Sequence, residues 1–156
     1  MDQKQDKIKV VYNNKRATFD YEILERFEAG VVLTGTEIKS VRDNKVSLQQ
    51  SFVQARGDEL WLLEANIAQY VHGNRENHDP KRPRKLLLHR REINRILTNL
   101  TQKGLTVVPT RMYLKGGRAK IEVALARGKR KYDKREDIAR RDADRQVERA
   151  LREKFR

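Results

Sequence analysis

The stretch Thr106 to Ala126, TVVPTRMYLKGGRAKIEVALA, decides the fold. Ala119, Ile121, Val123 and Leu125 alternate with Lys120 and Glu122, the period-two pattern of a strand with one buried face. Thr106 to Leu114 carries a second apolar run. Lys115-Gly116-Gly117-Arg118 lies between them, and Gly-Gly supplies the positive φ angles of a tight hairpin turn. The chain is therefore built on an antiparallel hairpin, and its neighbours must cover that apolar face.

Just before it, Arg90 to Lys103 reads as the clearest helix. Ile93, Ile96, Leu97 and Leu100 form one apolar stripe, and Gly104 stops it. Leu86-Leu87-Leu88 precede that helix; three adjacent leucines cannot all point into a core, so at least one lies near the surface. Asn66 to Pro83 has no periodicity and reads as an exposed loop, basic in its second half, with His72 and His78 as solvated histidines. Ser51 to Arg56 and Glu59 to Glu64 read as a second hairpin turning at Gly57-Asp58, with Trp61 in the core.

Toward the N-terminus, Phe19, Ile23, Leu24 and Phe27 fall at helical spacing. The spacing predicts a helix over Phe19 to Phe27, with Asp20 as its cap and Gly30 as its stop. Val31 to Leu33 then reads as a buried strand, and Thr36 to Val41 as a short helix capped by Thr36. Ile8 to Tyr12 is a strand or an extended arm. Residues 1–7 are polar and expected to lack order. About six short strands with two or three helices, not in strict alternation, predict a small, mostly antiparallel, OB-like barrel.

The chain of 156 residues carries a net charge of +14, which points to an anionic partner, nucleic acid before membrane. It has no cysteine, which excludes disulfides, thiolate metal sites and a cysteine nucleophile. No apolar run approaches the roughly 18 residues of a membrane span, so a cytoplasmic protein is expected.

Residues 128–156 stand apart. They hold 12 basic and 7 acidic residues but few large apolar ones: Ile138, Val147, Leu151 and Phe155. Such a segment cannot offset its ordering entropy by burial. Yet no Gly or Pro interrupts 129–156, Asp133 and Glu136 have capping-box spacing, and Ala143, Val147, Ala150 and Leu151 share one face. This reads as a tail that is loose alone and helical against a partner.

No catalytic constellation stands out. The chain lacks a phosphate-binding Gly-rich loop, and its three histidines are not at metal-ligand spacing. The carboxylates Glu22, Glu25, Glu28 and Glu37 are close enough in sequence to leave an RNA-processing nuclease as an alternative class. Three basic clusters, Lys15-Arg16, Arg82 to Lys85 and Lys129 to Arg135, favour a nucleic-acid binder without enzyme activity, metal or cofactor. Tyr132, between basic residues, is a candidate stacking surface.

Several motifs in order resemble one family. They are Phe27-Glu28-Ala29-Gly30, Leu33 to Ser40 (LTGTEIKS), Arg84 to Leu88 (RKLLL) and Gly128 to Arg135 (GKRKYDKR). Together they resemble the bacterial SsrA-binding protein family, small protein B, over nearly the whole chain. The resemblance implies an OB-type barrel with flanking helices and a C-terminal tail disordered when free. It implies binding to the tRNA-like domain of transfer-messenger RNA (tmRNA). It also implies that the protein, a monomer, delivers this RNA to stalled ribosomes with elongation factor Tu for trans-translation.

On that resemblance 1–12 is an N-terminal arm, 13–127 the RNA-binding domain and 128–156 the ribosome-binding tail. Asn14, Glu28 and Leu87 match residues for the tRNA-like domain, with Lys15, Arg16, Arg84 and Lys85 as basic neighbours. Gly128, Lys129, Asp133, Lys134 and Arg135 match the motif that acts in the decoding centre on the small subunit and its ribosomal RNA, and Arg130, Lys131 and Tyr132 lie within the same run. Tyr132 stands where some members carry His, which favours stacking over proton transfer at this position. A general ribosomal-RNA-binding factor with an OB-type fold is the other binding reading.

Overall fold

The Lys115–Arg118 turn closes as its glycines require. Gly116 and Gly117 have φ of 57° and 78°, the left-handed values of a two-residue hairpin turn. The computed structural model describes residues 7–72, 77–129 and 131–154; for Lys131, Tyr132 and Asp133 it describes the backbone alone. The expectation for the first six residues, and Arg75, Arg130 and Phe155, lie outside the described residues.

In chain order the elements are β1 (Ile8–Asn13), α1 (Lys15–Asp20), β2 (Tyr21–Val31), α2 (Gly35–Arg42), β3 (Val46–Ser47), β4 (Phe52–Arg56), β5 (Glu59–Leu63), β6 (Asn66–Ile67), β7 (Arg84–Leu87), α3 (Arg90–Gln102), β8 (Thr106–Lys115), β9 (Arg118–Gly128) and α4 (Lys131–Lys154). Seven strands form one antiparallel sheet in the order β1-β8-β9-β2-β7-β5-β4. β3 and β6 pair separately. The class is mainly β with flanking helices, as expected. The sheet is not closed into a barrel, however. β1 occupies the free edge of β8, so β4 approaches β8 only by packing, without a ladder.

The main core lies on the inner face of this sheet. Ile121, Val123 and Leu125 of β9 meet Phe27 and Ala29 of β2, Leu60 and Leu62 of β5, and Ile93 and Ile96 of α3. α3 runs as its apolar stripe predicts, and Gly104 follows it with φ 61°. On the outer face Ala17 of α1 covers Val108 and Ala126, flanked by Tyr21 and Ile23.

The helix expected over Phe19 to Phe27 is a strand. β2 has a bulge between Ile23 and Glu25. Before it Ile23 pairs with Ala126 on the outer face; after it Phe27 pairs with Val123 on the inner face. The extra residue swaps the two faces, so a period of two imitates one of 3.6. Only the Phe19–Asp20 end is helical, as the last residues of α1.

α2 begins two residues earlier than Thr36 suggests. Thr34 is its cap: Glu37 Oε1 accepts from the Thr34 N–H at 2.9 Å, and the Glu37 N–H donates to Thr34 Oγ1 at 3.4 Å. Glu37 is wholly buried. It also accepts from Arg82 Nη2 at 2.5 Å and from Arg84 Nε. Arg84, itself wholly buried, donates to the carbonyls of Ala65 (2.8 Å) and Pro80 (3.1 Å). His78 is buried as well, not solvated: its Nε2 meets the Ile67 carbonyl at 2.8 Å and its Nδ1 meets Thr36 Oγ1 at 2.9 Å. The long loop is thus stitched to α2 by polar contacts, which carry no periodicity in the sequence.

Burial pushes the Glu37 carboxyl up, but donors from Arg82, the Thr34 N–H and Arg84 outweigh it, and the net shift is downward from 4.5. A lowered folded-state value gives stability that is complete above pH 4.5 and is lost as pH falls through that lowered value. Glu37→Gln is expected to cost about 3 kcal/mol in urea unfolding at pH 7, because it leaves Arg84 buried without its counter-charge. It should also flatten the loss of stability below pH 4.5. An unchanged unfolding midpoint would show that the ion pair contributes nothing.

Candidate nucleic-acid interface

The residues expected to bind RNA fall into two groups and a remainder that is buried. The first group sits where β2, β7 and the β8–β9 turn meet. Leu86 is in the core, but Leu87 is 53% exposed, so one leucine of the three does face outward. Gly30 pairs with Leu87, and a Cβ on Gly30 would lie 3.4 Å from Leu87 Cβ. The leucine thus packs close against the strand at Gly30.

Glu28 lies on this same face. It accepts from the Tyr113 hydroxyl at 2.5 Å and from Lys115 Nζ at 3.4 Å. The Tyr113 hydrogen bond, with help from Lys115 and against a smaller effect of burial, holds its carboxyl below the usual glutamate value. Arg118 and Lys120 complete the cleft beside Glu28. None of these three cations stood out from spacing, although Lys115 and Arg118 flank the Gly-Gly turn directly. Lys85 is on β7 beside this group, half-exposed and paired with Glu59 at 3.1 Å.

The second group surrounds α1. Lys15 and Arg16 are exposed in its first turn, and Arg16 pairs with Asp20 at 3.5 Å. α4 docks here by its first turns. The Lys129 N–H donates to the Asp20 carbonyl at 2.9 Å, and its Nζ donates to the Thr18 carbonyl at 3.1 Å and to Asp137. Lys134 Nζ meets Asp20 at 3.0 Å. Phe19 lies between two cations, 5.8 Å from Lys134 and 5.1 Å from the Arg141 guanidinium. The Asp137 carboxyl is held low chiefly by the Lys129 hydrogen bond.

The tail carries the helix that its lack of Gly and Pro predicts: α4 is continuous from Lys131 to Lys154. It starts before Asp133, so Asp133 is inside the helix and not its cap. Beyond the docked turns the helix is exposed, including Val147 and Leu151 of the predicted stripe. Gly128 ends β9, and Arg135 is exposed on α4. The side chains of Lys131, Tyr132 and Asp133, and all of Arg130, lie outside what is described.

Two predicted contact residues are buried. Arg84 is a core residue, because Glu37 and two carbonyls consume its guanidinium. Asn14 is 4% exposed; its amide donates to the carbonyls of Leu48 (3.3 Å) and Pro109 (2.9 Å), at the bulge between Pro109 and Arg111. Its position ties α1 to two other segments. The carboxylates of the nuclease alternative do not converge. Glu25 pairs with Arg95, Glu28 with Lys115 and Glu37 with two arginines. Among the described residues no group of three or more His, Asp or Glu side chains is arranged to hold a metal ion. No described helix is long and apolar enough to cross a membrane.

An open antiparallel sheet with one cationic end, a basic α1 and a cationic helical extension defines a nucleic-acid-binding protein of the mainly β class. The family model described as "SmpB protein" matches residues 11–153. The chain belongs to the SmpB family. The SsrA-binding protein of Chloroflexus aggregans is 56% identical over 154 residues, covering 98% of each chain. That of Carboxydothermus hydrogenoformans is 52% identical over 147 residues, covering 94% of this chain and 99% of the relative. A solved chain described as "tmRNA-SmpB: a journey to the center of the bacterial ribosome" aligns with a TM-score of 0.65 at 47% identity, covering 81% of this chain and 93% of the other.

The α1–α4 contact makes a direct prediction. Phe19→Ala removes the ring shared by Lys134 and Arg141. Amide hydrogen exchange in residues 131–141 should then speed up by about tenfold while exchange in β8 and β9 stays unchanged. Equal protection in parent and variant would show that the ring does not hold the helix.

Proposed function

We propose that this chain binds the tRNA-like domain of tmRNA (SsrA RNA) and delivers it to stalled ribosomes for trans-translation. The carrying observation is identity above 50%, over nearly the full length of both chains, to relatives described as SsrA-binding proteins. The body binds the RNA through the Leu87 and Glu28 face and through Lys15 and Arg16. Lys85 adds charge beside the first patch. Asn14 and Arg84 act from beneath, by fixing α1 and β7, and not by touching RNA.

The division into an arm (1–12), a binding domain (13–127) and a tail (128–156) is part of this reading, with β1 of the arm joined to the sheet. The tail motif Gly128 to Arg135 enters the decoding centre and empty mRNA channel, where Lys and Arg meet ribosomal RNA phosphates and Tyr132 stacks on a base. Its entry requires Lys129 and Lys134 to leave Asp137 and Asp20, a exchange of carboxylate partners for phosphate partners. The protein works as a monomeric, non-catalytic adaptor in the cytoplasm, and meets elongation factor Tu through the bound RNA.

The test is a binding titration over a salt series, with the tRNA-like domain, an ordinary tRNA and a duplex of equal length. Preference for the tRNA-like RNA should persist as salt rises; three affinities that collapse together would leave only a general ribosomal-RNA binder. A chain ending at Gly128, where β9 ends, should keep binding to the tRNA-like RNA within about threefold but lose tagging of stalled chains, because the cations of α4 meet the ribosome and not this RNA. Loss of RNA binding in that variant would overturn the division between body and tail.

A further inference from the structure

Behind Glu28 lies a chain of contacts that the carboxylate's own exposure hides. Tyr113 is only 3% exposed, yet its hydroxyl donates to Oε2 of the partly exposed Glu28. Its ring is held from behind by Arg111, whose guanidinium carbon is 4.9 Å from the ring centroid. Arg111 Nε donates to Glu122 Oε2 at 2.5 Å, and Arg26 Nη1 donates to Glu122 Oε1 at 2.9 Å. Glu122 is 7% exposed and engaged by both arginines, so Arg111 has little freedom to move, and neither has the ring stacked beneath it.

A phenol aimed at a carboxylate does two things. It occupies a lone pair of Oε2, and it fixes the direction in which Oε1 points. Oε1 then has only Lys115, at a long 3.4 Å. It remains an acceptor in search of a donor. Around it is a cleft of about 430 Å³ with Lys115, Arg118 and Lys120 on its walls. Arg118 and Lys120 have no acidic partner at salt-bridge distance among the described residues. One acceptor beside unpaired cations calls for a ligand that carries a donor next to an anion. The backbone of RNA has that pairing in every residue, a 2′-hydroxyl beside a phosphate.

We propose that Tyr113 is a positioning residue that fixes Glu28 as the acceptor for one ribose 2′-hydroxyl, while Arg118 and Lys120 take the adjacent phosphates. This end of the sheet then reads a single ribose–phosphate unit of the folded RNA, which makes it a site of discrimination between RNA and DNA. The inference rests on the RNA-binding reading above and adds to it the group recognised and the residue that sets the geometry. The Tyr113 hydrogen bond lowers the pKa of Glu28, which agrees with a carboxylate that offers both oxygens as acceptors at neutral pH.

The experiment uses the full chain and its variants Tyr113→Phe, Glu28→Gln and Lys120→Ala. Each is titrated over a salt series with the tRNA-like RNA and with the same RNA methylated at its 2′-hydroxyls, which can no longer donate. Thermal melts followed by circular dichroism check the fold. Tyr113→Phe and Glu28→Gln should each weaken binding about tenfold with the salt slope unchanged, and the double variant should be no weaker than either. Lys120→Ala should lower the salt slope by about one. Methylation should weaken the parent about tenfold more than it weakens Glu28→Gln.

Should Tyr113→Phe fail to fold, Glu28→Gln and the methylated RNA decide the question alone. Parent-like binding by Glu28→Gln, or a methylation penalty that is the same with and without the carboxylate, overturns the proposal. In that case preference for the tRNA-like RNA over ordinary tRNA still stands in the parent. Absence of that preference in the parent is a different result, and it removes the underlying RNA reading.

Discussion

A glutamate with no access to water, held by two arginines, is the constraint on which this structure rests. Glu37 caps α2, neutralises Arg84 in the core and reaches Arg82 at its edge. Arg84 carries the link onward to Ala65, just before the long loop, and to Pro80 near its end. Burying charges is expensive, and the cost is offset only when every donor and lone pair finds a partner. Here the partners come from α2, β7 and the long loop, and Arg82 Nε alone of this cluster is buried without one. The cluster can form only when α2, β7 and the loop are all in place, so it selects one arrangement of them. That arrangement puts Leu86 in the core and leaves Leu87 outside, beside Gly30.

The outer face uses the same chemistry for another end. Glu122 is paired with Arg26 and Arg111, and donors from both outweigh the upward push of burial on its carboxyl. The ladder then passes through the Tyr113 ring to Glu28. At the core the pairing of charges closes a structure; at the surface it ends on an oxygen with spare acceptor capacity. The α1–α4 contact is a third use. Lys129 and Lys134 are paired with carboxylates of their own chain at a part-buried contact, and phosphates can take the place of those carboxylates.

Much of the organisation was legible. The β8–β9 hairpin, α3 and the β4–β5 hairpin follow from apolar period and from Gly at the turns. Those signals are local, and the structure keeps them. β2 was misread because one bulged residue moves Ile23 and Phe27 to opposite faces, and a sequence does not mark which residue a ladder will skip. Asn14, Arg84 and His78 looked like surface residues since polar side chains usually are. Their burial depends on carbonyls and hydroxyls supplied from distant positions, up to 95 residues away for Asn14 and Pro109.

The sequence by itself determined that this is a basic, cysteine-free, mainly antiparallel protein with a helix-forming cationic extension, and its motifs pointed to one family. Composition and local period suffice for that, because charge and amphipathicity are properties of neighbours along the chain. Only the tertiary structure decided which charges face a partner and which hold the protein together. Arg84 and Lys85 are adjacent, yet one is sealed in the core and the other stands beside the binding face. The alternation of the strand sets their opposite directions, and a buried carboxylate from another segment decides which direction is inside.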